Sequence, residues 1–382
     1  MVLRSSTMQL TTREKSWLPW WGATGKWRLS WSCFLNRSRY EEVERTFEGI
    51  AETRKRILIQ WVTFKWTILE KLTHKMSSDF TNDQAVRVVL HEALKTVEDF
   101  SELFVVDPSG RVLASTHEAN VSKTLEHTKA LEQGLEKPFL HGPYLDPVTT
   151  EIGPSSSKFH DEVTLMFYQP VVQESKVVGC LCGRIPNDVL SDLIQREGGH
   201  VYPESGDNYL FMVDSTFDPS IPQGIALSRS RFEDDSFTGG ENLKGGVSTA
   251  YGVVSIKKHT EFEVLFTDPA TGQLHPGVRE TIRNGSNLYV TYPGYSDYRH
   301  IPVVGAGVTL QLPGSPDRWG MMCEGDLQEV YAVRSTCYRF MRFGLALFAL
   351  LWTAIYALSS HGVLSSQGVA VASVCGGIGA FL

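Results

Sequence analysis

The chain has 382 residues, of which 42% are hydrophobic and 21% charged, and its formal net charge is −7 at pH 7. This length suits two soluble modules plus a membrane segment, and the composition is that of a globular protein and not of a disordered one. The acidic balance argues against nucleic acid as a partner.

The first 39 residues are a basic, tryptophan-rich extension. Its charged residues comprise one acid, Glu14, and a set of bases: Arg4, Arg13, Lys15, Lys26, Arg28, Arg37 and Arg39. Its tryptophans are Trp17, Trp20, Trp21, Trp27 and Trp31. Bases combined with tryptophan are typical of a segment that lies at a bilayer interface. A poorly ordered extension is the alternative.

Residues 40–76 are predicted to form one long helix of about 50 Å. Apolar residues recur at alternating steps of four and three, with one arginine among them: Val43, Phe47, Ile50, Arg54, Ile57, Trp61, Phe64 and Ile68. This heptad rhythm is typical of a coiled-coil seam, so we expect a stalk that pairs two copies into a homodimer. In the alternative, the helix packs only against sheets of its own chain.

The remainder of the first module, which with the long helix spans 40–195, mixes strands and helices. We predict a hairpin at 103–114, a helix at 123–133, strands at 163–172 and 176–184, and a helix that ends near 196. A second module at 196–330 repeats this arrangement approximately. Its predicted strands lie at 209–213, 262–267, 288–292, 303–312 and 319–324.

Residues 331–382 are predicted to enter the membrane. No charged residue follows Arg342, and two apolar runs at 343–358 and 369–382 flank a short polar pause. The first run, with its neighbours, reaches the length that a bilayer's hydrocarbon core requires. We expect a transmembrane hairpin whose second span is truncated, and an output domain outside this sequence.

Several segments together resemble a double Cache sensor domain. The first module carries FVVDPSGRVLAST, GPYLDP, VTLMFYQPVV and KVVGCLCGRIPNDVLSDLI, and the second carries NYLFMVD and DYRHIPVVGAGVTLQLPGSPDRWGMMCEGDLQEVY. The resemblance covers roughly 40–345 and is closest to the sensor regions of bacterial methyl-accepting chemotaxis proteins. It implies an α+β fold, in which a long N-terminal helix carries two PAS-like antiparallel-sheet modules and transmembrane helices follow. The HAMP and methyl-accepting regions of that family are not found in this sequence.

The resemblance also implies a ligand site in the first, membrane-distal module. The candidate ligand-binding residues are Tyr144, Asp146, Thr164, Phe167, Tyr168 and Arg184. An aspartate and an arginine among aromatic side chains suit a zwitterion such as an amino acid, with ammonium on the aspartate and carboxylate on the arginine. The family's amine-binding signature is not recognisable, so this expectation rests on chemistry, and another small metabolite remains open. Phe167 and Tyr168 alternate on one strand, so one of them belongs to the core.

No catalytic constellation is found. The sequence lacks G-x-x-x-x-G-K-[ST], H-E-x-x-H and G-x-S-x-G, and its histidines lack metal-ligand spacing. Cys180 and Cys182 share one strand face but have no second pair, which favours buried free thiols. We therefore expect no enzyme activity, catalytic residue, metal or cofactor.

The expected location is the bacterial inner membrane. Arg334, Arg339 and Arg342 precede the first span, which by the positive-inside tendency favours a sensor on the cytoplasmic face. The absence of a recognisable leading span or signal peptide agrees with that expectation. Three alternatives stay open: the sensor half of a histidine kinase, the sensor half of a cyclic-dinucleotide enzyme, and a stand-alone membrane-tethered binding protein. The reading frame beyond Leu382 would distinguish them.

Overall fold

A computed structural model describes residues 8–22, 24–76, 80, 83–157, 162–195, 201–202, 207–225, 227, 247–249, 252–254, 266–268, 271–297, 300–363 and 365–381. The helices are α1 Thr12–Ser16, α2 Lys26–Leu35, α3 Tyr40–Met76, α4 Asp83–Thr96, α5 Thr128–Glu136, α6 Pro147–Ile152, α7 Asp188–Gln195, α8 Pro276–Asn284, α9 Leu327–Val330, α10 Ala332–Ser360 and α11 Ser366–Phe381. The strands are β1 Glu102–Val106, β2 Val112–Ser115, β3 Phe139–Leu145, β4 Val163–Gln173, β5 Lys176–Pro186, β6 Asp207–Asp214, β7 Val247–Thr249, β8 Gly252–Val254, β9 Ser286–Tyr289, β10 Tyr295–Ser296, β11 Pro302–Gln311 and β12 Arg318–Asp326.

The two larger sheets pack against α3, and a third, two-stranded sheet consists of β7 and β8. The buried residues of α3 are Val43, Glu44, Phe47, Ala51, Arg54, Leu58, Val62, Lys65, Leu69, Thr73 and Met76. Apart from Glu44, these positions follow two steps of four for each step of three, which is close to the period of a straight helix and is not that of a heptad seam. The helix contacts β4 in one sheet and β11 and β12 in the other. It therefore packs against its own sheets along its length.

The predicted heptad seam is divided between two faces of α3. Its members Val43, Phe47 and Arg54 are buried by the sheets. Phe64 is 59% exposed, and Ile57 is partly exposed beside it on the flank of the helix. The pairing of two copies along this helix stays a prediction.

The first module has a five-stranded antiparallel sheet in the order β2-β1-β5-β4-β3. Helices α3 and α4 cover one face, and α5 packs on β3, β4 and β5. Side chains of β4 alternate between the two faces, as a strand requires. Leu165 and Phe167 belong to the core that includes α3, whereas Met166 and Tyr168 belong to a separate core on the opposite face.

The second module has an antiparallel sheet in the order β10-β11-β12-β6, and β9 also pairs with β11. Trp319 and Met321 face the core shared with α3, and Phe211 and Tyr295 face the core beneath α8. The predicted α+β fold is thus confirmed, with one long helix carrying two antiparallel-sheet modules. Of the strand predicted at 262–267, residues 262–265 lie outside the described residues. The domain boundaries stay predictions.

One turn of the second module forms hydrogen bonds with both the long helix and the sheet of the first module. Trp66 Nε1 donates to the Pro313 carbonyl oxygen at 2.8 Å, and the Leu140 amide donates to the Gly314 carbonyl oxygen at 2.9 Å. Gly314 has a φ of +81°, and a Cβ there would lie 2.7 Å from the Trp66 ring. The turn therefore requires glycine, which lets the second module approach both α3 and β3.

The described part of the N-terminal extension packs against the second module. Leu18 and Leu29 are 2% and 0% exposed, and Cys33 is 1% exposed. Glu14 forms an ion pair with Arg279 at 2.5 Å. Residues 8–22 and 24–39 thus do not behave as the loose extension that was the alternative prediction.

The C-terminal helices α10 and α11 contact one another as a hairpin. Among the described residues one helix, Phe340–Ser360, is long and apolar enough to cross a membrane, and 6% of its most apolar stretch is buried. α11 is shorter, with 16 residues.

Candidate functional site

A cavity of about 280 Å³ lies in the first module, on the face of the sheet opposite α3. Its floor is formed by sheet residues, and its rim by the segments 123–127 and 146–148. The lining residues are Phe104, Val112, Asn120, Lys123, Thr124, Leu125, Glu126, His127, Tyr144, Asp146, Pro147, Val148, Met166 and Arg184. The cavity therefore combines an apolar floor with charged groups at its edge.

A bulge in β3 turns Tyr144 toward the cavity. His141 pairs with Met166 and Tyr144 pairs with Thr164, so three steps along β3 match two along β4. The extra residue places Tyr144 on the same face as His141, which simple alternation would not do. Gly142 permits the bulge because its φ is +115° and a Cβ there would lie 2.5 Å from the Thr164 carbonyl oxygen.

Asp146 is held by the helix that it begins. It is the N-cap of α6, and its Oδ1 accepts a hydrogen bond from the Val148 amide at 3.0 Å. Pro147 follows at the first helical position, where its missing N–H costs nothing. This combination of aspartate and proline fixes the carboxylate at the cavity rim.

Arg184 is the centre of a buried ion network. Its side chain is 4% exposed, and its Nε lies 2.9 Å from Glu102 Oε2, while its Nη1 lies 2.5 Å from Asp146 Oδ2. Nη1 also donates to Thr149 Oγ1 at 2.9 Å. Burial by itself lowers the pKa of the Arg184 guanidinium, but Tyr144, Asp146 and Glu102 raise it, so the pKa lies above its ordinary value. The guanidinium therefore stays charged.

Glu102 is a member of the site that the sequence analysis missed. It is 0% exposed, and its Oε1 accepts hydrogen bonds from Ser115 Oγ and Asn120 Nδ2, both at 2.7 Å. Asn120 Oδ1 in turn accepts from Lys123 Nζ at 3.2 Å. A signal was present, because Glu102 opens an otherwise apolar strand, ELFVV, in which a carboxylate needs a partner.

Tyr144 connects the ion network to an aromatic cluster. Its hydroxyl donates to Asp146 Oδ2 at 3.2 Å. Its ring stacks on His141 at 4.2 Å and meets His127 at 4.5 Å. Burial raises the pKa of Tyr144, and burial followed by the charge of His127 lowers the pKa of His141 to about 3. His141 is therefore neutral at physiological pH.

The structure brings together three of the six candidate residues at the cavity, namely Tyr144, Asp146 and Arg184. Thr164 does not line the cavity. It is connected to Arg184 through Thr149, because its Oγ1 is 2.6 Å from the Thr149 Oγ1 that accepts a hydrogen bond from Arg184. Tyr168 shares their face of the sheet but is 0% exposed and does not line the cavity.

Phe167 lies on the opposite face of the sheet. Its ring contacts Trp61, Trp66 and Phe100 at 6.4, 4.9 and 6.0 Å between centroids. It belongs to the core with α3, so it is not carried into the candidate site. The alternation of a strand allowed one of Phe167 and Tyr168 to be core; the structure buries both, and Phe167 faces α3.

Within the described part of the chain, no group of three or more His, Cys, Asp and Glu side chains is placed to hold a metal ion. Cys180 and Cys182 are buried free thiols on one strand face, as predicted. Burial raises the pKa of Cys182 well above its ordinary value, so this thiol is unreactive.

No protein-family model matches the chain, and no curated protein matches it. Among solved structures, the ligand-binding domain of the Pseudomonas aeruginosa PAO1 amino acid chemoreceptor PctB with L-Arg is 12% identical, with a TM-score of 0.43, covering 77% of this chain and 99% of that one. The ligand-binding domain of the Pseudomonas fluorescens chemoreceptor CtaA with L-alanine is 13% identical, with a TM-score of 0.43 and coverages of 75% and 99%. An extracellular ligand binding receptor from Desulfohalobium retbaense DSM5692 is 9% identical, with a TM-score of 0.43, and the match covers 72% of this chain and 40% of that one.

Replacing His141 by phenylalanine is expected to make the free energy of unfolding less dependent on pH. The pKa of His141 is about 3 in the folded protein and about 6.5 when unfolded, so the unfolded state binds more protons between these values. The free energy of unfolding therefore falls as the pH drops from about 6.5 toward about 3. The Tm difference between pH 7 and pH 4 should be smaller in H141F. The control is H91F, which replaces an exposed histidine and should leave the Tm difference as in wild type. An equal Tm difference in H141F and wild type would contradict the prediction.

Proposed function

We propose that this chain is a membrane-anchored sensor of a small zwitterionic ligand, an amino acid or a similar metabolite, and that it has no catalytic role. The observation that carries the proposal is the meeting of Arg184, Asp146 and Tyr144 at one wall of the cavity. Arg184 and Asp146 are 38 positions apart in the sequence, and folding places their charged atoms at hydrogen-bond distance. A pair of opposite charges beside an apolar space is the arrangement that a zwitterion requires.

Each charge retains capacity for a ligand group. Arg184 Nη2 makes no hydrogen bond within the described residues, so it is available to a carboxylate. Asp146 Oδ1 accepts from the Val148 amide and keeps a second lone pair for an ammonium group. Phe104 and Met166 leave an apolar space for the ligand's side chain. The volume of about 280 Å³ limits the ligand to a small metabolite.

A series of contacts leads from the cavity to the second module. The Tyr144 ring stacks on His141, which lies 5.0 Å from the Phe217 ring of the second module. The Phe217 amide donates to Asp317 Oδ1 at 3.1 Å. Asp317 immediately precedes β12, which ends at α9 and α10. We infer that ligand binding is passed along these contacts, provided that the ligand favours one of two arrangements of the cavity wall.

Membrane anchoring by Phe340–Ser360 is part of this proposal, supported by the length and apolar composition of that helix. A sensor on the cytoplasmic face is proposed from the positions of Arg334, Arg339 and Arg342 in the sequence. Labelling of an exposed engineered cysteine by an impermeant reagent in intact cells would overturn that orientation.

We further propose that two copies pair along the flank of α3. Ile50, Ile57, Phe64 and Ile68 form one stripe beside the face that the sheets bury. Phe64 is 59% exposed, and Ile50, Ile57 and Ile68 are partly exposed, although Ile50 also contacts the core. A partly exposed apolar stripe on a helix is a surface that a second helix can cover.

The substitution Asp146→Asn is expected to weaken ligand binding about tenfold or more, because it removes one charge–charge contact. Asparagine is an equally good N-cap, so α6 should be preserved. Calorimetric titration of the full chain in detergent with the twenty protein amino acids identifies the ligand and measures the affinities. The control is Glu132→Gln, an exposed acid on α5. Equal affinity of D146N and wild type would contradict the proposed site, and no binding of any of the twenty amino acids by wild type would contradict an amino acid as the ligand.

The substitution Phe217→Ala is expected to separate binding from transmission. The affinity for the amino acid found in that titration should change little, because Phe217 does not line the cavity. Ligand-induced protection from hydrogen–deuterium exchange should persist at 120–150 and diminish at 326–340. Val172→Ala, which truncates an exposed side chain in the β4–β5 hairpin, is the control. Undiminished protection at 326–340 would refute the transmission route.

The substitution Phe64→Glu is expected to lower the dimer fraction, because it places a charge on the proposed apolar interface. Size-exclusion chromatography with light scattering on the detergent-solubilised chain measures this fraction. Val88→Glu adds the same charge at a position that is 55% exposed on α4, and should leave the dimer intact. If F64E and V88E behave alike, pairing along α3 is wrong.

A further inference from the structure

The N-terminal segment presents an exposed strip of aromatic side chains. This aromatic strip consists of Trp20, Trp21, Trp27, Trp31 and Phe34, whose exposed fractions are 62%, 76%, 52%, 38% and 50%. Trp21 stacks on Trp27 at 6.3 Å, and Trp31 meets Phe34 edge-on at 5.6 Å. The strip is therefore one apolar surface and not a set of isolated side chains.

Trp27, Trp31 and Phe34 of the strip occupy one side of α2, and the other side of this helix is part of the core. Trp20 and Trp21 precede the helix. Leu29, Ser32 and Cys33 are between 0% and 3% exposed. Trp27, Trp31 and Phe34 follow the helical spacing of one opposite face. The packing of α2 thus fixes the direction in which its aromatic side chains point. Contiguous exposed aromatic surface of this kind marks an interaction site.

Basic side chains are interleaved with the strip. Lys26 Nζ lies 4.9 Å from the Trp20 ring centroid, and the Arg37 guanidinium lies 4.5 Å from the Phe34 ring centroid. Cations beside tryptophan rings are suited to a bilayer interface, where the rings lie among headgroups and the cations meet anionic lipid.

The strip is attached at the base of the apolar helix α10. Asn36 Nδ2, at the C-terminal end of α2, donates to the Tyr331 carbonyl oxygen at 3.2 Å. Tyr331 immediately precedes α10, and α2 also contacts α10 directly. Only about 12 Å of helix separate this anchor from Phe340, where the bilayer-length segment begins.

We propose that the aromatic strip docks on the interfacial region of the bilayer that α10 enters, and that this bilayer carries anionic lipid. The proposal rests on the membrane anchoring included in the proposed function. It commits to lipid as the occupant because the strip is continuous with the membrane helix and combines tryptophan with basic charge. Docking would hold the second module at a fixed height above the bilayer.

The experiment measures tryptophan fluorescence of the full chain in nanodiscs made with lipid brominated near the upper acyl chain, against the same lipid without bromine. Bromine quenches only tryptophans that reach the bilayer. The chain has nine tryptophans. Trp352 reports on the apolar helix, and Trp20, Trp21, Trp27 and Trp31 report on the strip. Substitution by phenylalanine removes each fluorophore and keeps an aromatic side chain, so folding and docking should be preserved.

Two variants separate the proposals. W352F should lose part of the bromine quenching and keep the rest, and W352F combined with W20F, W21F, W27F and W31F should lose the remainder. If W352F is no longer quenched although wild type is, the helix is anchored and the strip does not dock. If wild type and W352F are both unquenched, membrane anchoring itself is wrong.

A second experiment varies the charge of the lipid. Quenching in W352F should be stronger in nanodiscs that contain phosphatidylglycerol than in purely zwitterionic ones, and K26E with R37E should abolish that difference. K71E, an exposed base on α3, is the matched control. Quenching that is independent of lipid charge would overturn the anionic-lipid assignment. Protection of the strip from aqueous iodide without bromine quenching would indicate a protein surface as its occupant and overturn docking on lipid.

Discussion

The packing of two sheets on one helix is the constraint on which the rest of this structure depends. α3 contributes buried residues from Val43 to Met76, and each of the two larger sheets packs one of its faces on that stripe. A shift of either module along the helix would expose apolar surface of that module and of α3. The turn at Pro313 and Gly314 adds hydrogen bonds to Trp66 and Leu140 at the junction. The helix therefore acts as the frame against which the cavity and the membrane-entering helix are positioned.

The candidate site lies on the face of the first sheet that α3 does not use. Burying Arg184 and Glu102 together is costly unless every charge is paired, and the network supplies those partners from the strands, the α6 cap and the segment before Lys123. This makes the floor of the site rigid. Asp146 lies at the rim, where its side chain is 13% exposed. The charges at the rim are therefore oriented by the fold itself, and under the proposed function little conformational entropy would remain to be lost on binding.

The start of α10 is also held by contacts between distant parts of the chain. The extension 8–39 packs on the second module, and α2 is attached at Tyr331, where α10 begins. The second module, the N-terminal segment and the apolar helix α10 therefore meet at one place in the fold. A displacement there would change the contacts of all three, as the proposed transmission requires.

Part of the order of elements was predictable from the sequence, because periodicity and turn residues act locally: the long helix, two hairpins and the apolar tail were recognised. Helices α4, α6 and α8 and strand β3 were not predicted from the sequence. The resemblance to double Cache sensors indicated Asp146, Arg184 and Tyr144, and their chemistry suggested the type of ligand. Other features depended on tertiary contacts. Alternation along β4 did not say which face Phe167 would occupy, and the heptad rhythm of α3 did not reveal that two sheets would select a different stripe. Glu102 meets Arg184 across 82 positions of sequence. Such pairings, like the bulge that turns Tyr144 into the cavity, are decided only when distant strands align, because local patterns specify alternation but not register.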